Sequence, residues 1–444
     1  MPPEDLEISR DSALVHAVSF LTIVQRSLQA VPPGVEDLFV GDLADEPTLI
    51  FDLNESPLFY DFPVALNGRP LGSVRVAATK ELGHPWIAIQ QALPFDTAAS
   101  LQRAQALLDQ EAAGSQIIEA KPVCHLYPNV GLLLRAATPG GRTVVRLFDP
   151  ENPSRPLTEI PEGAPPPTGS EAEGPGPYSL LESLSEGTDP RPEFDRFDGL
   201  IERLIDEGSD SSTSSSPTDR PRRSIEDIKN ALIWNAANQA EMLTRPAGRR
   251  AEGEASDQPE GQETERVLAV GHVRQEGQVF CVLACIRMIA DSLQVGTLPG
   301  QQEMAATLQA LAPPLFIPNE GILPSRQVEV FEHFFPLGFE VIFDDTPTWQ
   351  EFVGEIDAGR AFKSGITRHA RVAVGYQVTP VRPTQGESGI LQRSLWINDP
   401  SRSAVMLEAH EVVTLDPNDP SVTLSVTPRV PRKNNSIFVR PSGP

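Results

Sequence analysis

Hydrophobic positions in the first third of the chain switch between the period of a helix and the period of a strand. From Ser12 to Ala30, apolar residues recur at helical spacing (Leu14, Val15, Val18, Leu21, Leu28), and Pro32-Pro33 ends the run. Two hairpin signals follow. Leu58 to Leu66 and Leu71 to Ala77 flank Asn67-Gly68, a pair that accepts the positive φ of a tight turn. Gly131 to Ala137 and Arg142 to Phe148 flank Gly140-Gly141 in the same way. Between them, Thr97 to Ala113 reads as a helix capped by Asp96 and closed by Gly114. Residues 1–150 are therefore expected to form a small α+β domain on antiparallel strands.

The pattern changes after Pro150. Pro153, Pro156, Pro161 and Pro165-Pro166-Pro167 alternate with Glu and Gly, a composition that buries too little apolar surface to offset its ordering entropy. A short helix is expected at Glu193–Asp206, where Phe194, Phe197, Leu200, Ile201 and Leu204 share helical spacing. Ser209 to Ser216 is Ser-rich, and Ser224 to Leu243 predicts a helix with a capping-box-like start at Ser224 and Asp227. Arg249 to Glu265 is again polar. Residues 151–265 thus read as a Pro/Ser/Glu-rich linker that carries helices.

Residues 266–444 read as a second folded unit. Val267 to Val273 leads into a helix from Cys281 to about Leu293, and further helices are expected at Gln302–Ala312, Arg326–Phe335 and Thr348–Ala358. Strands follow at Phe339–Phe343, Ala370–Val378, Ser394–Asn398 and Ser421–Thr427. Helices first and antiparallel strands second give an α+β order.

Composition narrows the function classes. The 444 residues include 44 Pro and 32 Gly, which suits folded units joined by a looser segment. With 61 acidic against 36 basic residues the net charge is −25, so phosphate backbones and anionic membrane surfaces are repelled and neither partner is expected. The stretch from Ala13 to Val24 carries His16, Ser19 and Thr22 and is too short and polar to span a bilayer. The acidic start (Glu4, Asp5, Glu7) lacks the basic region of a secretory signal. The protein is expected in the cytoplasm, or exported without a classical signal peptide. The three cysteines, Cys124, Cys281 and Cys285, make no disulfide framework, and no CxxC or HxxxH spacing suggests a metal site. No cofactor or metal is expected.

Cysteine acyl transfer needs an ionised thiol, a histidine against it, a group that orients the histidine, and donors for an oxyanion. Cys281 stands where an apolar helix begins, after the turn-like Gln275-Glu276-Gly277, and a helix N-terminus favours a thiolate. Gln275, six residues earlier, can donate its amide to an oxyanion together with the Cys281 backbone N–H. His369 opens a strand, and Asp399 ends another before Pro400, so two adjacent antiparallel strands would bring Asp399 to His369. Asn398 is the alternative orienter, and Gln278 is a rival to Gln275.

These segments resemble papain-like cysteine peptidases, most closely the bacterial branch related to double-glycine leader (bacteriocin-processing) peptidases. The resemblance covers about residues 266–430. It is carried by Gln275 to Cys285, by Ile356-Asp357-Ala358-Gly359-Arg360, by His369 to Tyr376 with its Val-Gly-Tyr ending, and by Asn398-Asp399-Pro400. It implies a papain-like domain in which Gln275 is the oxyanion donor, Cys281 the nucleophile, His369 the base and Asp399 the orienter. Phe280 and Val282 depart from the Trp and Gly usual beside the cysteine, and Phe362 from a usual Pro; no reacting atom is lost. The N-terminal unit is similar in element order to cystatin-like propeptides. Its separation from residues 266–444 by a long, cleavable linker suggests an inhibitory, chaperoning or targeting module that contacts the peptidase domain, as in a zymogen.

The expected activity is hydrolysis of peptide bonds in a protein or peptide substrate through a thioester acyl-enzyme. The alternatives are an amidase, deamidase or transglutaminase-like acyltransferase on the same site, or a non-catalytic binding protein with a papain-like fold. Cys285, Cys124-His125, His272 and His410 read as packing or surface residues.

Overall fold

The computed structural model describes residues 6–152, 156–160, 179–181, 184, 189–208, 224–233, 265–318, 320–381, 389–402, 404–416, 423–428 and 435–442. Its helices are α1 (Arg10–Ser27), α2 (Thr97–Glu111), α3 (Arg191–Gly208), α4 (225–233), α5 (Cys281–Ser292), α6 (Gln301–Gln309), α7 (Gln327–Phe334) and α8 (Trp349–Asp357). The first strands are β1 (Asp42–Leu43), β2 (Thr48–Asp52), β3 (Pro57–Leu66), β4 (Arg69–Ala77), β5 (Trp86–Gln90), β6 (Gln116–Leu126), β7 (Asn129–Ala137), β8 (Thr143–Phe148) and β9 (Leu157–Glu159). The later ones are β10 (Glu265–Val267), β11 (Phe339–Asp344), β12 (Phe362–Ile366), β13 (His369–Val381), β14 (Ile390–Asp399), β15 (Ala404–Leu415), β16 (Thr423–Pro428) and β17 (Asn435–Pro441).

Local signals behave as their chemistry requires. The β3–β4 turn has Asn67 at φ 53° and Gly68 at φ 79°, the paired positive values of a tight hairpin. Asp96 caps α2 by accepting from the Ala99 amide at 2.9 Å. Ser224 and Asp227 exchange reciprocal hydrogen bonds at the start of α4, the Asp227 amide donating to Ser224 Oγ and the Ser224 amide to Asp227 Oδ2, both at 3.1 Å. The expected continuation of that helix from 234 to Leu243 lies outside the described residues, as do Arg249 and Arg250.

The fold is mixed α/β around one large mixed sheet. Pairing runs continuously as β9-β8-β7-β6-β2-β3-β4-β5-β15-β14-β13-β12-β17-β11, with β1 on β3, β10 on β13 and β16 on β15. Among the described residues only the β2–β6 pair is parallel. The expected boundary between an N-terminal unit and residues 266–444 is therefore no break in the sheet. Ala88, Ile89 and Gln90 of β5 pair with Glu408, Leu407 and Met406 of β15, because each strand would otherwise leave an unpaired buried edge. The core is shared too: Phe39 meets Trp396 edge-on at 5.5 Å between ring centroids, and the Gln377 amide of β13 donates to Ser27 Oγ of α1 at 3.0 Å.

The segment 151–265 is correspondingly more than a linker. β9 pairs with β8, Leu180 and Leu181 are buried, and the expected helix near Glu193–Asp206 is α3, whose Phe194, Phe197, Leu200, Ile201, Leu204 and Ile205 are buried. Asp198 of α3 accepts from the buried His16 of α1 at 2.8 Å. One apolar helical face is enough to dock this stretch despite its polar average.

Candidate active site

Cys281 is the first residue of α5, whose Val282, Leu283, Ala284, Ile286, Met288 and Ile289 are buried and seat the helix against β12 and β13. Burial on that face fixes where the helix starts, and the start puts the thiol among the unpartnered amides of a first turn. His369 follows directly on the two-residue turn Thr367-Arg368, which closes the β12–β13 hairpin with Arg368 at φ 60°. The imidazole is thus anchored at the first position of a long strand, with no slack in the connection before it. Asp399 ends β14, paired to β13 through the Val372–Asn398 register pair.

These elements bring three of the four expected site residues together. His369 Nε2 donates to Asp399 Oδ1 at 2.8 Å. That leaves Nδ1 for the Cys281 thiol, which the imidazole and the Ala370 backbone amide both influence. Asp399 is fully buried and accepts in addition from Ser401 N at 2.9 Å and Ser401 Oγ at 2.7 Å. Asn398, the alternative orienter, turns the other way and donates to the Val270 carbonyl at 3.3 Å, since neighbouring side chains leave a strand on opposite faces.

The electrostatics follow from this packing. Burial alone would raise the Cys281 thiol, but the hydrogen bond and charge of His369, the Ala370 amide and the charge of Lys363 outweigh it and hold the thiol below its ordinary range. Burial opposes protonation of His369, yet the charge and hydrogen bond of Asp399, helped by Cys281, push it up to about 9. Burial likewise opposes ionisation of Asp399, and the charges of His369 and Arg371 with the Ser401 hydroxyl keep it well below the usual carboxylate range. Both shifts run toward a thiolate beside an imidazolium.

Gln275 is placed by its backbone, whose amide donates to the Pro400 carbonyl at 2.9 Å, next to Asp399 in the chain. Its side-chain Nε2 donates to the carbonyl of Gln278 at 3.1 Å. The rival Gln278 therefore serves as the acceptor that holds Gln275. The fully buried Gln301 of α6 clamps this loop from behind, accepting from the Glu276 amide at 3.0 Å and donating to the Arg274 carbonyl at 2.8 Å. Gln301 carries no local signal in the sequence, because its partners are backbone atoms of a distant loop. His272, read as packing or surface, donates through Nε2 to the Asp399 carbonyl at 2.7 Å.

The N-terminal unit also reaches the site. Ser401 Oγ is 3.0 Å from Asn129 Oδ1, at the start of β7. A hydroxyl has one proton, so it serves Asp399 and Asn129 in turn, or the Asn129 amide turns its NH2 to Ser401 and leaves the proton to Asp399. Behind this contact, Arg371 pairs with Glu408, which also accepts from the buried Tyr127 hydroxyl at 3.4 Å. Asn129→Ala is expected to slow alkylation of Cys281 at neutral pH on the order of tenfold, because a loosened Asp399 loosens the imidazole. An unchanged rate with an unchanged melting temperature would show that Asn129 does not reach the chemistry.

The other two cysteines, Cys124 and Cys285, are buried. Cys285 is buried one turn after Cys281, and burial raises its thiol far above the ordinary range. Burial pushes Cys124 up to about 12, and His125 beside it is buried as well. His410 packs against Trp349 and Phe352 at 5.7 and 5.1 Å. Among the described residues no three His, Cys, Asp or Glu side chains gather as a metal site, and no helix is long and apolar enough to cross a membrane. No known protein family, curated protein or solved structure matches this chain.

Proposed function

We propose that the protein is a papain-like cysteine peptidase, with Cys281 as nucleophile, His369 as acid–base and Asp399 as its orienter. The observation that carries this reading is the Cys281–His369–Asp399 row, in which the buried His369 and Asp399 meet at 2.8 Å from Nε2 to Oδ1 and the half-buried thiol lies at a helix N-terminus. A buried ion pair of this kind is costly to assemble without a use. In the proposed reaction the Cys281 sulfur attacks a peptide carbonyl carbon. The Cys281 amide and the Gln275 side chain donate to the developing oxyanion, for which the Gln275 amide turns from the Gln278 carbonyl. His369 passes its proton to the leaving amine as the C–N bond breaks, and a thioester forms. Water then gives a proton to His369 and attacks the thioester; the C–S bond breaks, the acid leaves, and the thiolate–imidazolium pair is restored.

The N-terminal unit acts in this reading as a standing part of the enzyme. The β5–β15 pairing and the Asn129–Ser401 contact support that role over a removable inhibitor.

A peptidyl epoxide probe is expected to label the full-length wild type rapidly at neutral pH and to leave Cys281→Ala unlabelled at the same protein concentration. Labelling no faster than that of glutathione would sink the reading. If labelling is rapid, mass spectrometry of a peptide mixture separates the chemistries: cut peptides indicate a peptidase, a shift of about 1 Da a deamidase, and cross-links a transglutaminase-like enzyme.

A further inference from the structure

Lys363 lies in the middle of β12 and is 1% exposed. Its ammonium donates to the Asn435 side-chain carbonyl, with the Asn435 backbone carbonyl at 3.5 Å. Both partners are neutral, and no carboxylate pairs with Lys363 among the described residues. A buried ammonium without a counter-charge is expensive, and an uncharged donor would hold Asn435 as well.

The backbone shows where the charge is lodged. Gly365, on the same face of β12, sits between Asn435 of β17 and Ala370 of β13 in the strand register. A Cβ at Gly365 would collide with both Lys363 Nζ and Asn435 Oδ1, so the missing side chain is the niche that the ammonium occupies. Ala370, paired to Gly365, directly follows His369, and its amide helps to lower the Cys281 thiol. The niche therefore lies in the part of the sheet, β12 and β13, on which α5 packs.

We propose that Lys363 is a second cation of the reactive centre, lodged over Gly365 so that its field holds the Cys281 thiolate together with His369. The inference rests on Cys281 being the nucleophile. Lys363 faces the Cys285 and Cys281 thiols of α5 and Asn435 of β17, and those thiols are in turn faced by His369 and Arg371 from β13 and Asp399 from β14. Arg371 is neutralised by Glu408, and Asp399 by His369. Burial lowers Lys363 to about 8 against the raising effect of the two thiols, so it stays charged at neutral pH, where the thiolate is needed.

The test is the pH dependence of iodoacetamide alkylation at Cys281 in the full chain, read by peptide fragmentation to separate Cys281 from Cys285. In Lys363→Met the half-point of the curve is expected to move up by about half to one pH unit. That makes alkylation about three- to tenfold slower on the acid limb, with little change on the alkaline plateau. Lys363→Gln keeps a donor for Asn435 without the charge and should give the same shift; it also reads the charge alone if the Met variant does not fold. A half-point unmoved in a folded variant would make Lys363 a structural support for Asn435 and overturn the inference, while the wild-type curve would still report an activated Cys281. A wild-type curve of an ordinary thiol would instead remove the nucleophile reading and this inference with it.

Discussion

His369→Ala is expected to slow alkylation of Cys281 at pH 7 by about 10² or more. Without the imidazole, only the Ala370 amide and Lys363 oppose burial, and the half-point of the curve moves up from below the ordinary thiol value. Each unit of that shift is about tenfold in thiolate at a fixed pH. Asp399→Asn tests the other end of the row. His369 is held at about 9 against burial chiefly by the Asp399 charge, so the amide lets it fall toward or below its ordinary value near 6.5. The sign is definite: the window in which thiolate and imidazolium coexist loses its alkaline side. Epoxide labelling, which needs the imidazolium proton, should then decline above about pH 6–7 in Asp399→Asn and only near 9 in the wild type. Superimposable curves for the two proteins would remove Asp399 from the mechanism.

The second large effect is on stability. Asp61 and Arg75 face each other across β3 and β4 at 2.7 and 2.8 Å, with side chains 1% and 0% exposed. Asp61→Ala leaves the Arg75 guanidinium buried, still donating to the Pro128 carbonyl at 3.2 Å but without its counter-charge. A loss of about 3–5 kcal/mol in denaturant unfolding is expected. Replacing both residues, as in Asp61→Leu with Arg75→Met, should cost much less, because no charge is then stranded. If Asp61→Ala costs under about 1 kcal/mol, the pair is more hydrated than the fold implies. The pair matters for the site because β4 hydrogen-bonds to β5, and β5 to β15, which carries Glu408. Loosening Arg75 therefore loosens a strand that supports Arg371.

Much of the candidate site was legible locally. A turn before an apolar helix placed Cys281, a two-residue turn before a long strand placed His369, and Pro400 after a strand placed Asp399, each within a residue or two of the observed element ends. The hairpins at Asn67-Gly68 and Gly140-Gly141 were readable for the same reason: positive φ is a property of the residue and its neighbours. β15 was not legible. Its twelve residues, Ala404–Leu415, are nearly all buried, so no alternation of polar and apolar positions marks it as a strand.

What the sequence determined by itself is therefore the set of local elements and the residue types at their ends, since capping, turn formation and periodicity act over a few neighbours. Only the tertiary structure decided which edges pair. That choice joined β5 to β15, made the expected linker part of the core through α3, and set Asn129 against Ser401 from 272 residues away. It also turned Arg75, Arg371 and Lys363 from apparent surface charges into buried ones. The charge of a side chain is written in the sequence, but its solvation is not. Solvation depends on which distant segments cover it, and that makes Lys363 a cation behind the thiol instead of a solvated surface lysine.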